Sequence, residues 1–134
     1  MILFGKKKEE IDYEKEIRVF ILLIDEEGNL AVENIDGDYT LPSILVHDHN
    51  EANQYFEKND TWNDKILDNV DLLGKAVLYT EIGLKKTGYF YTVEVEDTSD
   101  LELDWKSPVD AMHLIQEEHQ VWGIKQFFEN GLDL

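Results

Sequence analysis

The chain has 134 residues, 43% of them apolar, and sets 12 basic against 30 acidic side chains for a net charge of −18. That length suits one domain with a core of its own, and the apolar and aromatic content excludes a disordered chain. With no cysteine, a disulfide framework, a thiolate nucleophile and a Cys-ligated zinc are excluded, and the acidity disfavours direct binding of nucleic acid.

The opening MILFGKKKEE carries its lysines after a short apolar run, the reverse of a secretory signal's order. No later run is long enough to cross a bilayer, so a cytoplasmic location without membrane contact is expected. Residues 1–16 are expected as an N-terminal tail or leading segment, with GKKK a solvated island. Residues 17–134 are expected as a single domain, because no repeat, low-complexity tract or linker interrupts them.

From Arg18 the run RVFILLID is rich in β-branched and aromatic residues, EEGN supplies a glycine turn, and LAVENI reads as the return strand of a hairpin. The first arm is apolar on nearly every residue, which predicts a strand covered on both faces and hence helices on each side of the sheet. An Asp-Gly-Asp turn then leads through Tyr39, Thr40, Leu41 and Pro42 into SILV. In HDHNEANQYFEKN, Ala52, Tyr55, Phe56 and Asn59 fall at helical spacing, with Asp48 and Glu51 in capping-box positions. The segment TWNDKILDNVDLLG admits two readings: a helix with Trp62, Ile66, Val70 and Leu73 on one stripe ended by Gly74, or an irregular run into a strand.

KAVLYTEIG, a turn at LKKTG, and YFYTVEVED read as a second hairpin, with Tyr89, Tyr91, Val93 and Val95 on one face and Phe90, Thr92 and Glu94 on the other. PVDAMHLI predicts a turn of helix. EEHQVWGIKQFFENG predicts a longer one, with Val121, Ile124, Phe127 and Phe128 as its apolar stripe and Gly131 as its stop.

Hairpin, Leu-Pro loop, short helix, second hairpin, W-x-S-P-x-x-A and terminal helix together resemble the Nudix family, from about Ile17 to Phe128. The local matches are EEGNLAVENIDGDYTLP, against that family's strand, turn, strand and W-x-L-P-G-G motif, and LDWKSPVDAMHLI, against its late W-x-x-x-x-x-A segment. The resemblance implies an α/β (α+β) fold, a Nudix-like α/β/α sandwich with a mixed β-sheet between helices. It also implies magnesium-dependent hydrolysis of a nucleoside diphosphate linked to another group.

The signature G-x5-E-x7-R-E-U-x-E-E-x-G-U places carboxylates on a helix because a hard cation needs several oxygens, and helical spacing at i, i+3 and i+4 brings them together. This sequence departs from it. Laid on without gaps from Leu41 and Pro42, the signature glycine falls on Ile44, the first glutamate on Asn50 and the arginine on Lys58. The next three glutamate positions fall on Asn59, Trp62 and Asn63. Amides lack the charge that holds magnesium and an indole offers nothing, so the usual metal site is expected to be gone and no cofactor is expected. A slipped alignment recruits Glu51, Glu57, Asp60 or Asp64 as metal ligands, with Glu57 and Asp60 the catalytic candidates and magnesium the cofactor in that case.

Among other candidates, His47 and His49 with Glu51 form a string of metal-ligand types, but loop histidines with Asp48 as a helix cap are the simpler reading. His113 and His119 read as helix-surface or helix-end residues. No G-x-S-x-G elbow and no Gly-rich phosphate loop is present. Tyr39, Lys58 and Trp105 are the ligand-binding candidates, the aromatics by stacking on a nucleobase if they line one cleft. The sequence therefore predicts a Nudix-like domain without the usual pyrophosphohydrolase centre, serving as a nucleotide-type ligand-binding or protein-interaction module. One alternative is an active hydrolase with a rearranged carboxylate metal site; another is an acidic interaction protein without a ligand.

Overall fold

The structure is a computed structural model and describes residues 2–55, 70–95 and 103–131. In chain order the elements are β1 (Ile2–Phe4), β2 (Glu14–Ile24), β3 (Leu30–Ile35), β4 (Asp38–Thr40), β5 (Ser43–Val46), α1 (His49–Asn53), β6 (Val70–Tyr79), β7 (Leu84–Glu94), β8 (Asp104–Lys106), α2 (Pro108–Leu114) and α3 (Glu118–Gly131). The strands form one mixed sheet in the order β1-β6-β7-β2-β3-β4, with β5 on β2 and β8 on β3. β2 runs parallel to β7 over its whole length, from Glu14 opposite Leu84 to Ile24 opposite Glu94.

β2 is covered on both faces, as its continuous apolar run implies. Val19, Ile21 and Leu23 face one core with Tyr89, Tyr91 and Val93, closed by Ala52 of α1 and by Tyr55. Phe20, Leu22 and Ile24 face the other with Phe90, closed by Ala111 of α2, Ile115 and Ile124 of α3. The sheet therefore lies between α1 on one side and α2 with α3 on the other. At about 25 cal/mol per Å² of apolar area removed from water, burying a side chain the size of Phe20 or Leu22 contributes about 2 to 3 kcal/mol each.

Two local expectations hold in detail. Asp36 and Gly37 both take positive φ, 52° and 92°, as a two-residue turn between twisted strands requires, and the Gly37 N–H donates to Asn34 Oδ1 at 2.9 Å. Asp48 caps α1 by accepting from the Glu51 N–H at 2.7 Å, while the Glu51 carboxylate accepts from the His47 N–H at 2.8 Å, one residue earlier than an ideal capping box.

One expectation is corrected. The turn of the second hairpin is Thr80–Gly83, not LKKTG. Gly83 has φ +89°, the Thr80 N–H donates to the Leu84 carbonyl at 2.9 Å, and Thr80 Oγ1 accepts from the Leu84 N–H at 3.0 Å. Gly88, which read as a turn residue, lies inside β7 because the ring of Phe20 stands 2.9 Å from where its Cβ would be, and that of Phe90 3.0 Å. Gly74 ends no helix: it sits in β6 at a register shift against β7, so the strand reading of Val70–Gly74 is the one realised. Residues 1–16, expected as a tail or leading segment, contribute β1, which pairs parallel with β6 from Ile2 opposite Ala76 to Phe4 opposite Leu78, and the first three residues of β2. Its apolar triplet extends an edge that would otherwise be open. Phe56, Asn59, Trp62 and Ile66 lie outside the described residues. No described helix is long and apolar enough to cross a membrane.

Candidate functional site

On the face covered by α2 and α3, the sheet is left open beside the start of α3, and a cleft of about 320 Å³ forms there. Its walls come from β2 (Glu16, Arg18, Phe20), β3 (Glu33, Ile35), Thr40, Ser43, Lys86 of β7, and Glu117, His119 and Gln120. A second recess of about 340 Å³ continues past Ile35, Thr40, Lys86 and Glu117 to Asp38, Tyr39 and Gln116. Strand alternation explains the polar floor. Glu16 and Arg18 continue the face of Phe20 past the point where the core ends, and Lys86 stands beside Glu16 across the parallel pair.

The polar groups are tightly interlocked. Gln120, 1% exposed, accepts through Oε1 from the buried Leu41 N–H at 2.8 Å and from the Thr40 hydroxyl at 3.1 Å. Its Nε2 donates to Glu117 Oε1 at 2.5 Å. Lys86 Nζ donates to Glu117 Oε2 at 2.7 Å. Arg18 Nε donates to Glu16 Oε1 at 2.7 Å, and its Nη1 to Ser43 Oγ at 3.2 Å. The Leu-Pro loop is pinned from both sides, since the Pro42 carbonyl accepts from the Ile21 N–H at 2.9 Å.

His119 is also 1% exposed, set edge-on to Phe20 at 5.3 Å between ring centroids, and its buried Nδ1 has no hydrogen-bond partner. Of the two readings, helix surface or helix end, the helix end is realised, with the ring buried: α3 begins at Glu118 and turns its first turn inward, against the Phe20 and Phe90 rings, where Gly123 permits close approach. Burial pushes the His119 pKa down to about 4; Glu117 and Glu16 oppose that shift and Lys86 adds to it. Burial alone would raise Glu117, but the Lys86 hydrogen bond, the charges of His119 and Lys86 and the Gln120 amide outweigh it and hold the carboxyl below its ordinary range.

The sequence candidates separate. Tyr39 borders the second recess, whereas Trp105 packs against the core on the opposite face of the sheet with Tyr89 and Tyr91, so one ligand in one cleft cannot touch both. Lys58, Glu57, Asp60 and Asp64 lie outside the described residues. Arg18, Lys86, Glu117 and Gln120 escaped sequence reading. The available signal was that Arg18 is the chain's single arginine, placed where an apolar strand begins.

The described part of the signature segment, residues 44–55, lies on the other face. Ile44, at the signature glycine, packs against the α1-side core, Asn50 is exposed in α1, and Glu51 is engaged by the His47 amide. Among the described residues no group of three or more His, Asp or Glu side chains is placed to hold a metal ion. His49 Nδ1 instead meets the Tyr89 hydroxyl at 2.6 Å. These residues do not fit the magnesium ion that the fold implies, because a hard cation needs several free anionic oxygens. A wider recess of about 660 Å³, lined by Glu14, Lys15, Leu45, His47 and His49 among others, has mostly exposed walls and lacks the interlocked buried groups of the cleft.

No family model and no curated protein matches the sequence. Solved structures do. The Ap4A hydrolase of C. elegans superposes with TM-score 0.60 at 11% identity, covering 87% of this chain and 98% of that one. The NUDIX domain of Shewanella oneidensis NrtR, complexed with ADP ribose, gives TM-score 0.61 at 12% identity, covering 92% and 93%. The fold is Nudix-like. The C-terminal domain of mouse MUTYH, in complex with human PCNA, shares it with TM-score 0.63 at 12% identity, covering 90% and 92%. Identities this low establish the Nudix-like architecture and leave activity to be argued from the site.

Proposed function

We propose that this chain is a Nudix-like binding module that takes a nucleotide-type ligand in the cleft between β2, β7 and the start of α3, without the usual magnesium-dependent pyrophosphohydrolase centre. The observation that carries the reading is the contrast between the two faces of the sheet. On the signature face, Ile44 serves the core and Glu51 a helix cap. On the opposite face, Gln120, Glu117 and Lys86 are joined by hydrogen bonds and Arg18 is held separately by Glu16 and Ser43, around one cleft.

The adjoining recesses, about 320 and 340 Å³, are each within the lower range of ligand pockets. Ile35 and Tyr39 offer apolar and aromatic surface for a heterocycle, and Arg18 and Lys86 offer charge for a phosphate. That the NrtR domain of like fold is complexed with ADP ribose supports the ligand class. A second reading, a protein-interaction module, draws support from the MUTYH domain, whose structure is a complex with PCNA. The rearranged hydrolase, built on Glu57, Asp60 and Asp64, is the enzymatic rival.

A thermal-shift panel of nucleoside diphosphate derivatives, ADP-ribose among them, with and without magnesium and followed by product analysis, separates these readings. Ligand bound to the native state raises the melting temperature. A shift without turnover is the expected result. Magnesium-dependent turnover lost in Glu57→Gln or Asp60→Asn sinks the proposal in favour of the hydrolase, and no shift with any nucleotide leaves only the interaction module.

A further inference from the structure

We infer that the phosphate of the ligand is held by Arg18 and Lys86 with no metal ion between protein and phosphate, an inference that rests on the nucleotide-type reading above. A phosphate brought into a half-buried cleft needs positive charge beside it. Among the described residues, the positively charged side chains that line this cleft are Arg18 and Lys86. The chain carries a single arginine and a net charge of −18, yet Arg18 and Lys86 stand in the same cleft.

The sheet brings them together. Lys86 lies beside Glu16 on the adjacent parallel strand, Arg18 is one step further on the same face, and its own partner across the strand pair is Gly88. The guanidinium is already oriented: Glu16 and Ser43 engage Nε and Nη1, with the Arg18 side chain 37% exposed. A planar fork held in one orientation loses little freedom when it takes a phosphate.

In the empty cleft Glu16 and Glu117 balance the two cations, which spares each an unpaired, partly buried charge. Glu16 and Glu117 keep these contacts on binding, and the phosphate takes the remaining N–H groups of the guanidinium and ammonium, with no covalent change. Glu33 adds a third carboxylate to the walls.

The test compares adenosine 5′-monophosphate with adenosine, which differ by the phosphate alone, by calorimetric titration in EDTA and again in excess magnesium. The expected result is that the phosphate improves affinity roughly tenfold or more in EDTA, the scale of a charge-assisted hydrogen bond. That advantage should disappear in Arg18→Gln and in Lys86→Gln, and survive in part in Arg18→Lys, which keeps the charge and loses the fork. Melting temperatures of the free variants identify any that fail to fold, and Lys86→Gln, at the strand edge of the cleft, then carries the comparison. Equal affinity for the two ligands in EDTA, an advantage that appears only with magnesium, or an advantage untouched in folded variants each overturns the inference while leaving the nucleotide reading intact. Absence of binding by either ligand under both conditions overturns both.

Discussion

Replacing His119 by phenylalanine should flatten the acid sensitivity of the fold. The imidazole is buried against Phe20 and Phe90, its Nδ1 has no partner, and burial lowers its pKa from 6.5 to about 4. A depressed histidine pKa means that the unfolded chain binds the proton more readily. The neutral, buried state therefore contributes its full stability above pH 6.5, and that contribution is lost as pH falls from 6.5 towards 4. With these two values, proton uptake by the unfolded state costs the native fold about 2 kcal/mol between pH 8 and pH 5. Glu117 and Glu16, which favour the charged imidazole, and Lys86, which opposes it, are already included in the folded value. The assay is urea denaturation of wild type and His119→Phe at both pH values, with the change in one protein subtracted from the change in the other so that the carboxylates common to both cancel. Wild type should lose about 2 kcal/mol more than the variant. Equal losses, or a greater loss in the variant, would refute the assignment of a buried neutral histidine.

Three further outcomes follow from the packing. Gln120→Leu strips the buried Leu41 amide and the Thr40 hydroxyl of their acceptor and should cost about 1 to 3 kcal/mol in chemical denaturation; an unchanged midpoint would show that the Leu-Pro loop does not depend on α3. Gly88→Ala presses a methyl group onto the stacked Phe20 and Phe90 rings and should cost about 1 to 3 kcal/mol, read as a lower melting temperature; a neutral result would mean that the rings give way freely. Gly83→Ala meets no close atom, its nearest neighbour being 3.8 Å away, but must hold φ +89°. Its cost should be smaller, about 1 kcal/mol, and a cost exceeding that of Gly88→Ala would reverse the assignment of turn and strand glycines.

What could be read from the residues was local and periodic. The unbroken apolar run of β2, the Asp36-Gly37 turn, the Asp48 cap and the alternation of Tyr89, Phe90 and Tyr91 all express forces acting within a few residues, and each appears in the structure as expected. Composition misled where one residue type serves two purposes. Gly83 is glycine because its φ is positive, whereas Gly88 is glycine because two aromatic rings fill the space above it; in the sequence the two look alike, and LKKTG has the more turn-like neighbours. The cleft was illegible for a different reason. Arg18, Lys86 and Glu117 meet only through the parallel pairing of β2 with β7 and the docking of α3, and no spacing along the chain encodes that encounter. His119 read as a helix-surface or helix-end residue; it does lie at the start of α3, but the docking of that first turn, which carries the ring into the core, is not written in the local sequence.

The most direct test of the central claim, binding without the metal-dependent centre, is a crystal structure grown with ADP-ribose and magnesium present together. An intact ligand is expected in the cleft, its heterocycle beside Ile35 and Tyr39 and a phosphate within hydrogen-bond distance of the Arg18 guanidinium. A magnesium ion caged by Glu57, Asp60 and Asp64 with the pyrophosphate cleaved beside it would contradict that account.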